Sequence, residues 1–270
     1  MRKYGMSINS PGDNEAVFKC GLFSCVEYCG AHSACEKYDN AFEVIEKEAE
    51  KLLELSKKYN VDVRSVHLPF GESVVIFSPS SLCDEERAKT LENTKKIIEI
   101  LAPCNVEIVV IHGSLGVEYD VKAKRIDYFV DYLKELCDFC AQYNIKVAVE
   151  TLKTRCIGNG LSEHLYIMEK VNRKNIGICF DSNHLLEEEN TDFIKGAGKY
   201  IITTHLSDFD GIDERHWFPG EGIIEWKKLV SALDENGYKG PMVFELSFAG
   251  REKNEELYKG IIENFENLIK

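Results

Sequence analysis

The sequence predicts an α/β fold, a single (β/α)8 TIM barrel of eight parallel strands inside a ring of helices. Three observations predict it. Short β-rich runs alternate with longer amphipathic stretches eight times along the chain. Several runs are nearly unbroken in apolar residues, such as Val106-Glu107-Ile108-Val109-Val110-Ile111, the texture of parallel strands covered on both faces. The 270 residues, spread over eight units, leave about 34 for each, which suits a barrel of this kind. An open doubly wound sheet would call for a glycine-rich phosphate loop after a strand, and neither G-x-G-x-x-G nor G-x-x-x-x-G-K-[ST] occurs. No linker or composition break divides the chain, so residues 1–270 are expected to form one domain.

The elements follow in order. The first strand is expected over Tyr4–Asn9 and the second over Leu22–Tyr28. After it, Phe42, Ile45, Ala49, Leu52 and Leu55 recur at three- and four-residue steps, one face of a helix. The third strand, Val61–Leu68, leads to a helix that Asp84 opens and that runs on from Glu85, with Leu91, Thr94, Ile97, Ile98 and Leu101 on its apolar face. The fourth, Val106–His112, precedes a helix whose apolar face is Ile126, Phe129, Val130, Leu133 and Leu136. The fifth, Lys146–Thr151, precedes a helix around Leu165–Val171 with Ser162 as its capping residue. The sixth and seventh are Ile176–Asp181 and Tyr200–Leu206. Gly237 and Gly240 punctuate the way into the eighth, Pro241–Leu246.

Charge and composition narrow the function. With 33 basic and 46 acidic side chains the formal charge is −13, which disfavours a global electrostatic nucleic-acid binder while leaving a local basic groove open. No apolar run approaches the ~18–20 residues needed to cross a bilayer. The opening Met1-Arg2-Lys3-Tyr4-Gly5 has no apolar stretch behind it, so no signal peptide is expected and the protein reads as cytoplasmic. Cys20, Cys25, Cys29 and Cys35 lack the paired C-x-x-C spacing of zinc ribbons. Cys137 and Cys140 do form C-x-x-C, on the apolar face of the helix after the fourth strand. All ten cysteines are therefore expected as core thiols, none at a strand end facing the site.

Barrel enzymes carry their chemistry at the C-terminal ends of strands. Strands three to eight end in His67, His112, Glu150, Asp181, His205 and Glu245, with His184 and Asp208 three residues beyond the ends of strands six and seven. A lone strand-terminal histidine is usually a hydrogen-bonded structural residue, and a lone buried glutamate an ion-pair partner. Six successive ends of this kind are a different matter. Three clustered carboxylates would repel one another, and a bound cation removes that cost. The mixed O/N set Glu150, Asp181, His205 and Glu245 suits Mn²⁺, Mg²⁺, Co²⁺, Fe²⁺ or Zn²⁺. The loop Glu214-Arg215-His216-Trp217-Phe218-Pro219-Gly220-Glu221-Gly222 combines a tight Pro-Gly turn with polar groups at the mouth.

At these residues the sequence resembles the xylose-isomerase-like barrel superfamily. That group includes the sugar phosphate isomerase/epimerases, the ketose 3-epimerases and the endonuclease IV-type apurinic/apyrimidinic endonucleases. The motifs are Val66-His67-Leu68-Pro69, Ile111-His112-Gly113, Val149-Glu150-Thr151, Asp181-Ser182-Asn183-His184, His205-Leu206-Ser207-Asp208, His216-Trp217-Phe218-Pro219-Gly220-Glu221-Gly222 and Phe244-Glu245-Leu246, and they span essentially the whole chain. The resemblance to the epimerases implies a divalent metal ion held by Glu150, Asp181, His205 and Glu245. It makes Glu150 and Glu245 the acid/base pair. It assigns His67, His112, His184, Arg215 and His216 to the sugar, with or without a phosphate. Lys153, Arg155 and Arg251 are the cations that would meet such a phosphate. The resemblance to the endonucleases implies instead a zinc cluster that adds His67, His112, His184, His216 and Glu214 as ligands, Glu214 standing where that family's motif has Asp. The acidic charge favours the sugar enzymes. A third class, a metal-stabilised sugar- or partner-binding protein without turnover, is disfavoured by the intact Glu150 and Glu245. Aromatic residues of the strand-seven loop are candidates to cover a neighbouring copy's site, so a homo-oligomer is an expectation.

Overall fold

The computed structural model describes residues 2–71 and 75–270. Its strands are β1 (Tyr4–Ile8), β2 (Cys25–Tyr28), β3 (Asp62–His67), β4 (Ile108–Ile111), β5 (Lys146–Glu150), β6 (Ile176–Asp181), β7 (Ile201–His205) and β8 (Met242–Phe244). Each lies inside its expected run. They form one parallel sheet in the order β7-β6-β5-β4-β3-β2-β1-β8. The two ends of that row meet at a bridge between Leu206 and Phe244. There the Leu206 N–H donates to the Val243 carbonyl at 2.8 Å, and the Glu245 N–H donates to the Leu206 carbonyl at 3.2 Å. The row is thereby nearly closed into the expected barrel.

Helix α1 (Glu15–Lys19) follows β1, and α2 (Gly30–Lys37) and α3 (Ala41–Tyr59) both follow β2. Then α4 (Asp84–Leu101), α5 (Tyr119–Ala141), α6 (Leu161–Val171), α7 (Asn190–Ala197), α8 (Trp226–Glu235) and α9 (Glu255–Leu268) follow β3 to β8 in turn. The eightfold pattern did not anticipate α2. Helix α3 illustrates why these stretches are helical. Ile45, Ala49, Leu52 and Leu55 are buried at helical spacing, while Glu46, Lys47, Glu50 and Glu54 face solvent. It stops at Asn60, whose φ of 56° is left-handed.

Two expected caps are corrected. Helix α6 begins at Leu161, so Ser162 lies inside it. Its first N–H is met otherwise, Glu188 Oε2 accepting from Leu161 at 2.9 Å, while Glu163 Oε1 ties down the preceding turn by accepting from the Asn159 N–H at 3.2 Å and from that of Gly158. Helix α4 begins at Asp84 itself, with Cys83 as the capping residue and no side-chain cap. Asp84, Glu85 and Glu86 act through their charge in the first turn.

Side chains two apart on a strand share a side of the sheet. Ser65 and His67, Ala148 and Glu150, Cys179 and Asp181, and Thr203 and His205 therefore point into the barrel. Ile108, Val110, Ala148 and Cys179 form a small apolar cluster there, apart from the main core. A Cβ on Gly5 would stand 2.8 Å from Cys25 Sγ and 3.0 Å from Val243 Cγ2, so the interior below the site is full. The main core lies outside the strands, where Val66, Val109, Val147, Val149 and Phe180 share one cluster with the helix residues Ile45, Leu52, Ile97, Phe129 and Leu133.

Two irregularities matter to the site. Val26 opposes Val63, but Glu27 opposes Ser65, so Arg64 is an extra residue. Likewise Ile178 opposes Ile201 while Cys179 opposes Thr203, so Ile202 is extra and Asp181 comes level with His205. Such bulges re-aim side chains next to active sites. No described helix is long and apolar enough to cross a membrane.

Candidate metal centre

Glu150, the last residue of β5, is the hub. Its Oε2 lies 2.9 Å from His67 Nε2 and 2.9 Å from His112 Nε2. Its Oε1 lies 3.0 Å from His205 Nδ1 and 3.6 Å from His184 Nδ1. Burial alone would raise its carboxyl; the facing His205 and His112 outweigh that and hold it well below the usual carboxylate range.

Asp181 accepts at Oδ1 from the Asn183 N–H, 2.6 Å away. Its buried Oδ2 has no hydrogen-bond partner. That oxygen stands 3.6 Å from His184 Nδ1 and 3.8 Å from His205 Nδ1. Burial, with Glu245 and Glu150 adding to it and His184 opposing it, pushes the Asp181 carboxyl up to about 6. Glu245 places Oε2 3.2 Å from His205 Nδ1, and with its side chain 24% exposed it is the most solvent-facing of the four. Ligand atoms of Glu150, Asp181, His205 and Glu245 all lie within 4.8 Å of one another.

Two further groups adjoin this one, His67 with His112 and Glu150, and His184 with Glu214 and His216. His216 Nε2 is 2.9 Å from Glu214 Oε1, and His184 Nε2 is 3.5 Å from the same oxygen. Burial works against the charge on both rings. Asp181 and Glu214 nonetheless push His184 up to about 10, and Glu214 and Glu245 push His216 up to about 9.

The far ring nitrogens decide what the rings present. His67 Nδ1 faces the Leu68 carbonyl at 2.9 Å, and His184 Nδ1 faces the Thr151 carbonyl at 2.9 Å. A carbonyl only accepts, so each Nδ1 carries the proton and the neutral ring turns a bare Nε2 toward a carboxylate. Two acceptors 2.9 Å apart, as at His67 and Glu150, require either a second proton or a cation between them. This is how ligating histidines are oriented. With the unpartnered Asp181 oxygen and the mixed O/N donors, it fits the residues to a divalent ion.

The strand-seven loop is organised by Asp208, which the sequence pattern offered only as part of a motif. Its Oδ1 accepts from the N–H groups of Phe209 (3.0 Å) and Ile224 (3.1 Å). Its Oδ2 accepts from the Gly220 N–H (2.8 Å) and Trp226 Nε1 (3.0 Å). Gly220 has φ 89°, and a Cβ on Gly222 would meet the Phe209 carbonyl oxygen at 2.1 Å, so the turn needs both glycines. Phe218 in this loop packs edge-on against Phe248 of the same chain, ring centres 5.6 Å apart.

The structure brings His67, His112, His184 and His216 to the carboxylates. Arg215 is placed otherwise, its Nε 2.7 Å from Asp210 Oδ2 and its N–H 3.0 Å from Asn183 Oδ1. The three candidate phosphate cations are each paired with an acid. Lys153 is 3.0 Å from Glu214, Arg155 is 2.9 Å from Glu118, and Arg251 is 2.8 Å from Glu221. A cavity of about 210 Å³ beside Glu245 and His216 is lined by another cation, Lys253, together with Ser7, Asn9 and Ser247.

Sequence reasoning missed Glu27, which is fully buried on β2. Its signal was present, a lone acid in the run Cys25-Val26-Glu27-Tyr28, where an unpaired charge would be prohibitive. All ten cysteines are free thiols, as expected, but not all lie in the core: Cys83 is exposed and Cys20 and Cys29 are half-buried. Two of them do border the site, a correction. Cys29 lies 3.8 Å from Glu27 Oε1, and Cys179 touches the His205 ring from one layer below. In both, burial holds the thiol well above its usual range, so both are protonated neighbours of the site.

A family model described as the xylose isomerase-like TIM barrel matches residues 15–268. The inosose isomerase of Halalkalibacterium halodurans is 28% identical over 229 residues, 78% of this chain and 80% of that protein. Among solved structures, a D-tagatose 3-epimerase-like protein superposes with a TM-score of 0.78 at 25% identity, covering 99% of this chain and 98% of that one. The IOLI protein, solved with a zinc atom bound, superposes with a TM-score of 0.75 at 20% identity over 99% of this chain and 98% of its own, a likeness of fold.

Proposed function

The chain belongs to the xylose isomerase-like TIM barrel family, and from that premise we propose that it is a divalent-metal-dependent isomerase or epimerase of a sugar or sugar phosphate. The observation that carries this reading is the set Glu150, Asp181, His205 and Glu245, whose ligand atoms converge within 4.8 Å while Asp181 Oδ2 lacks a partner. These four residues would hold the ion. When bound, the ion supplies Lewis acidity that makes the carbon beside a carbonyl more acidic.

The chain's own residues then move the proton. One carboxylate of the pair Glu150 and Glu245 takes a proton from the carbon next to the carbonyl. Return of a proton to the opposite face of that carbon, from the other carboxylate, inverts the centre. Return to the former carbonyl carbon, with a proton passing between the two oxygens, interconverts ketose and aldose. The facing histidines keep both carboxylates ionised. The histidines fix Glu150 in place, while Glu245 faces the mouth and the adjoining cavity. His67, His112, His184 and His216 would meet the substrate's hydroxyl oxygens, Arg215 would do so only on leaving Asp210, and Lys253 is the cation best placed for a charged substituent.

The test is a metal-content assay on the purified protein coupled to a screen for exchange of substrate protons with solvent deuterium over ketoses and their phosphates. About one ion per chain together with exchange into a ketose supports the reading. A protein that binds metal but exchanges no proton favours a binding role. A second reading, zinc-dependent cleavage of DNA at abasic sites, is favoured by one observation, the two further histidine–carboxylate groups beside the first. Two or three zinc ions per chain with chelator-sensitive incision of abasic DNA would establish it over the first.

A further inference from the structure

We infer that Glu27 is a positioning residue for the metal centre: its carboxylate fixes the ring of His205 so that Nδ1 faces the ion. The inference rests on the metal-centre reading above.

Glu27 Oε1 stands 2.6 Å from His205 Nε2, and Glu27 Oε2 accepts from Ser65 Oγ at 2.7 Å. Oε1 lies off the N–H axis, so the pair is a close contact between charged groups and not an aligned hydrogen bond. The opposite edge of the same ring, Nδ1, faces Glu150 at 3.0 Å, Glu245 at 3.2 Å and Asp181 at 3.8 Å. His205 is thus held between one acid below and three above. A proton on Nε2 directed at Glu27 leaves the Nδ1 lone pair for the ion.

Three observations set this contact apart. First, Glu27 is fully buried and forms no ion pair with lysine or arginine among the described residues. An isolated carboxylate there would be costly, and a purely structural position would be better filled by an apolar side chain. Second, the bulge at Arg64 brings Glu27 level with Ser65, so backbone irregularity aims the acid. Third, three other histidines of the site rest a ring nitrogen on neutral carbonyls, His67 on Leu68 at 2.9 Å, His184 on Thr151 at 2.9 Å and His216 on Glu245 at 3.3 Å, and the Nδ1 of His112 has no partner. His205 alone rests on a carboxylate. A negative partner makes the ring a stronger donor to a metal than a carbonyl does. Cys179 also touches the ring, but a thiol is a weak acceptor.

The test is the affinity of the metal-free protein for Co²⁺ and Zn²⁺, measured by competition with a chromogenic chelator, together with the visible spectrum of the cobalt form. Glu27→Gln keeps the volume and removes the charge. It is expected to bind about 10- to 100-fold more weakly, with an altered cobalt spectrum and a metal-free melting temperature close to wild type. Ser65→Ala, which frees the other oxygen of Glu27, is expected to move affinity and spectrum the same way by less, and it carries the test if Glu27→Gln does not fold. Unchanged affinity and spectrum in both variants, with metal bound by the wild type, overturn the role of Glu27 alone. Failure of the wild type to bind metal overturns the centre and this role together.

Discussion

Glu245 and Glu150 carry the same functional group in different surroundings, and their substitutions should differ accordingly. Glu150 meets three histidines at 2.9 to 3.0 Å, whereas Glu245 contacts His205 and opens to solvent. On the proposed roles, Glu245→Gln keeps an oxygen for the ion and loses the base. It is expected to abolish exchange of substrate protons with solvent while weakening metal binding only partly; wild-type exchange would sink the acid/base assignment. A second residue-scale expectation concerns His164, fully buried, with Nε2 donating to the Gly158 carbonyl at 3.0 Å. Burial pushes it down from 6.5 to about 4. The unfolded chain takes up this proton near 6.5 and the folded one only near 4, so stability is full above 6.5 and falls as pH drops from 6.5 toward 4. The limiting loss is about 3 kcal/mol. Urea melts across that window should be flatter for His164→Gln than for wild type; equal slopes would remove His164 as the cause.

Among the elements, the strand-seven loop is held by one carboxylate. Asp208 receives four donors from Phe209, Gly220, Ile224 and Trp226. Asp208→Ala leaves them unanswered and is expected to cost about 3 kcal/mol, with a change in the fluorescence of the buried Trp226. An unchanged melt would mean that water replaces the acid. Leu52 on α3 is fully buried in the outer core, so Leu52→Ala should cost about 3 kcal/mol without altering metal affinity. The strands were legible in the sequence because each lies in a short β-rich run between longer amphipathic stretches. Helix starts were less so. Ser162 and Asp84 match a capping pattern, but the first N–H of α6 is met by Glu188, from a position that local sequence does not reveal.

For the whole molecule, an ion held by residues from four strand ends would couple its binding to global stability. A saturating ion at a hundred times its dissociation constant adds about 2.7 kcal/mol. Chelation should therefore lower the melting temperature, and added Mn²⁺, Co²⁺ or Zn²⁺ should restore it; a melt indifferent to chelator would argue against a resident ion. The outline of the centre was legible for a related reason. A barrel gathers the ends of its strands, so listing His67, His112, Glu150, Asp181, His205 and Glu245 nearly lists the cluster that forms the candidate site. What escaped was one layer down or one register step aside. Glu27 lies mid-strand on β2, and the extra residues Arg64 and Ile202 leave no mark in the hydrophobic pattern. The pairing of Lys153, Arg155 and Arg251 with acids is likewise a matter of loop geometry.

The seam between β7 and β8 adds a dynamic asymmetry. β8 pairs with β1 through three residue pairs but with β7 through a single bridge, whose N–H donors are Leu206 and Glu245. Local opening should need least free energy where the fewest backbone bonds must part. The amide protons of Leu206 and Glu245 are therefore expected to trade with heavy water sooner than those of Val147 and Val149 in the middle of the wall. Glu245 would then ride on the stave joint most able to breathe, and an ion gripping it from above would act as a hoop, slowing that exchange.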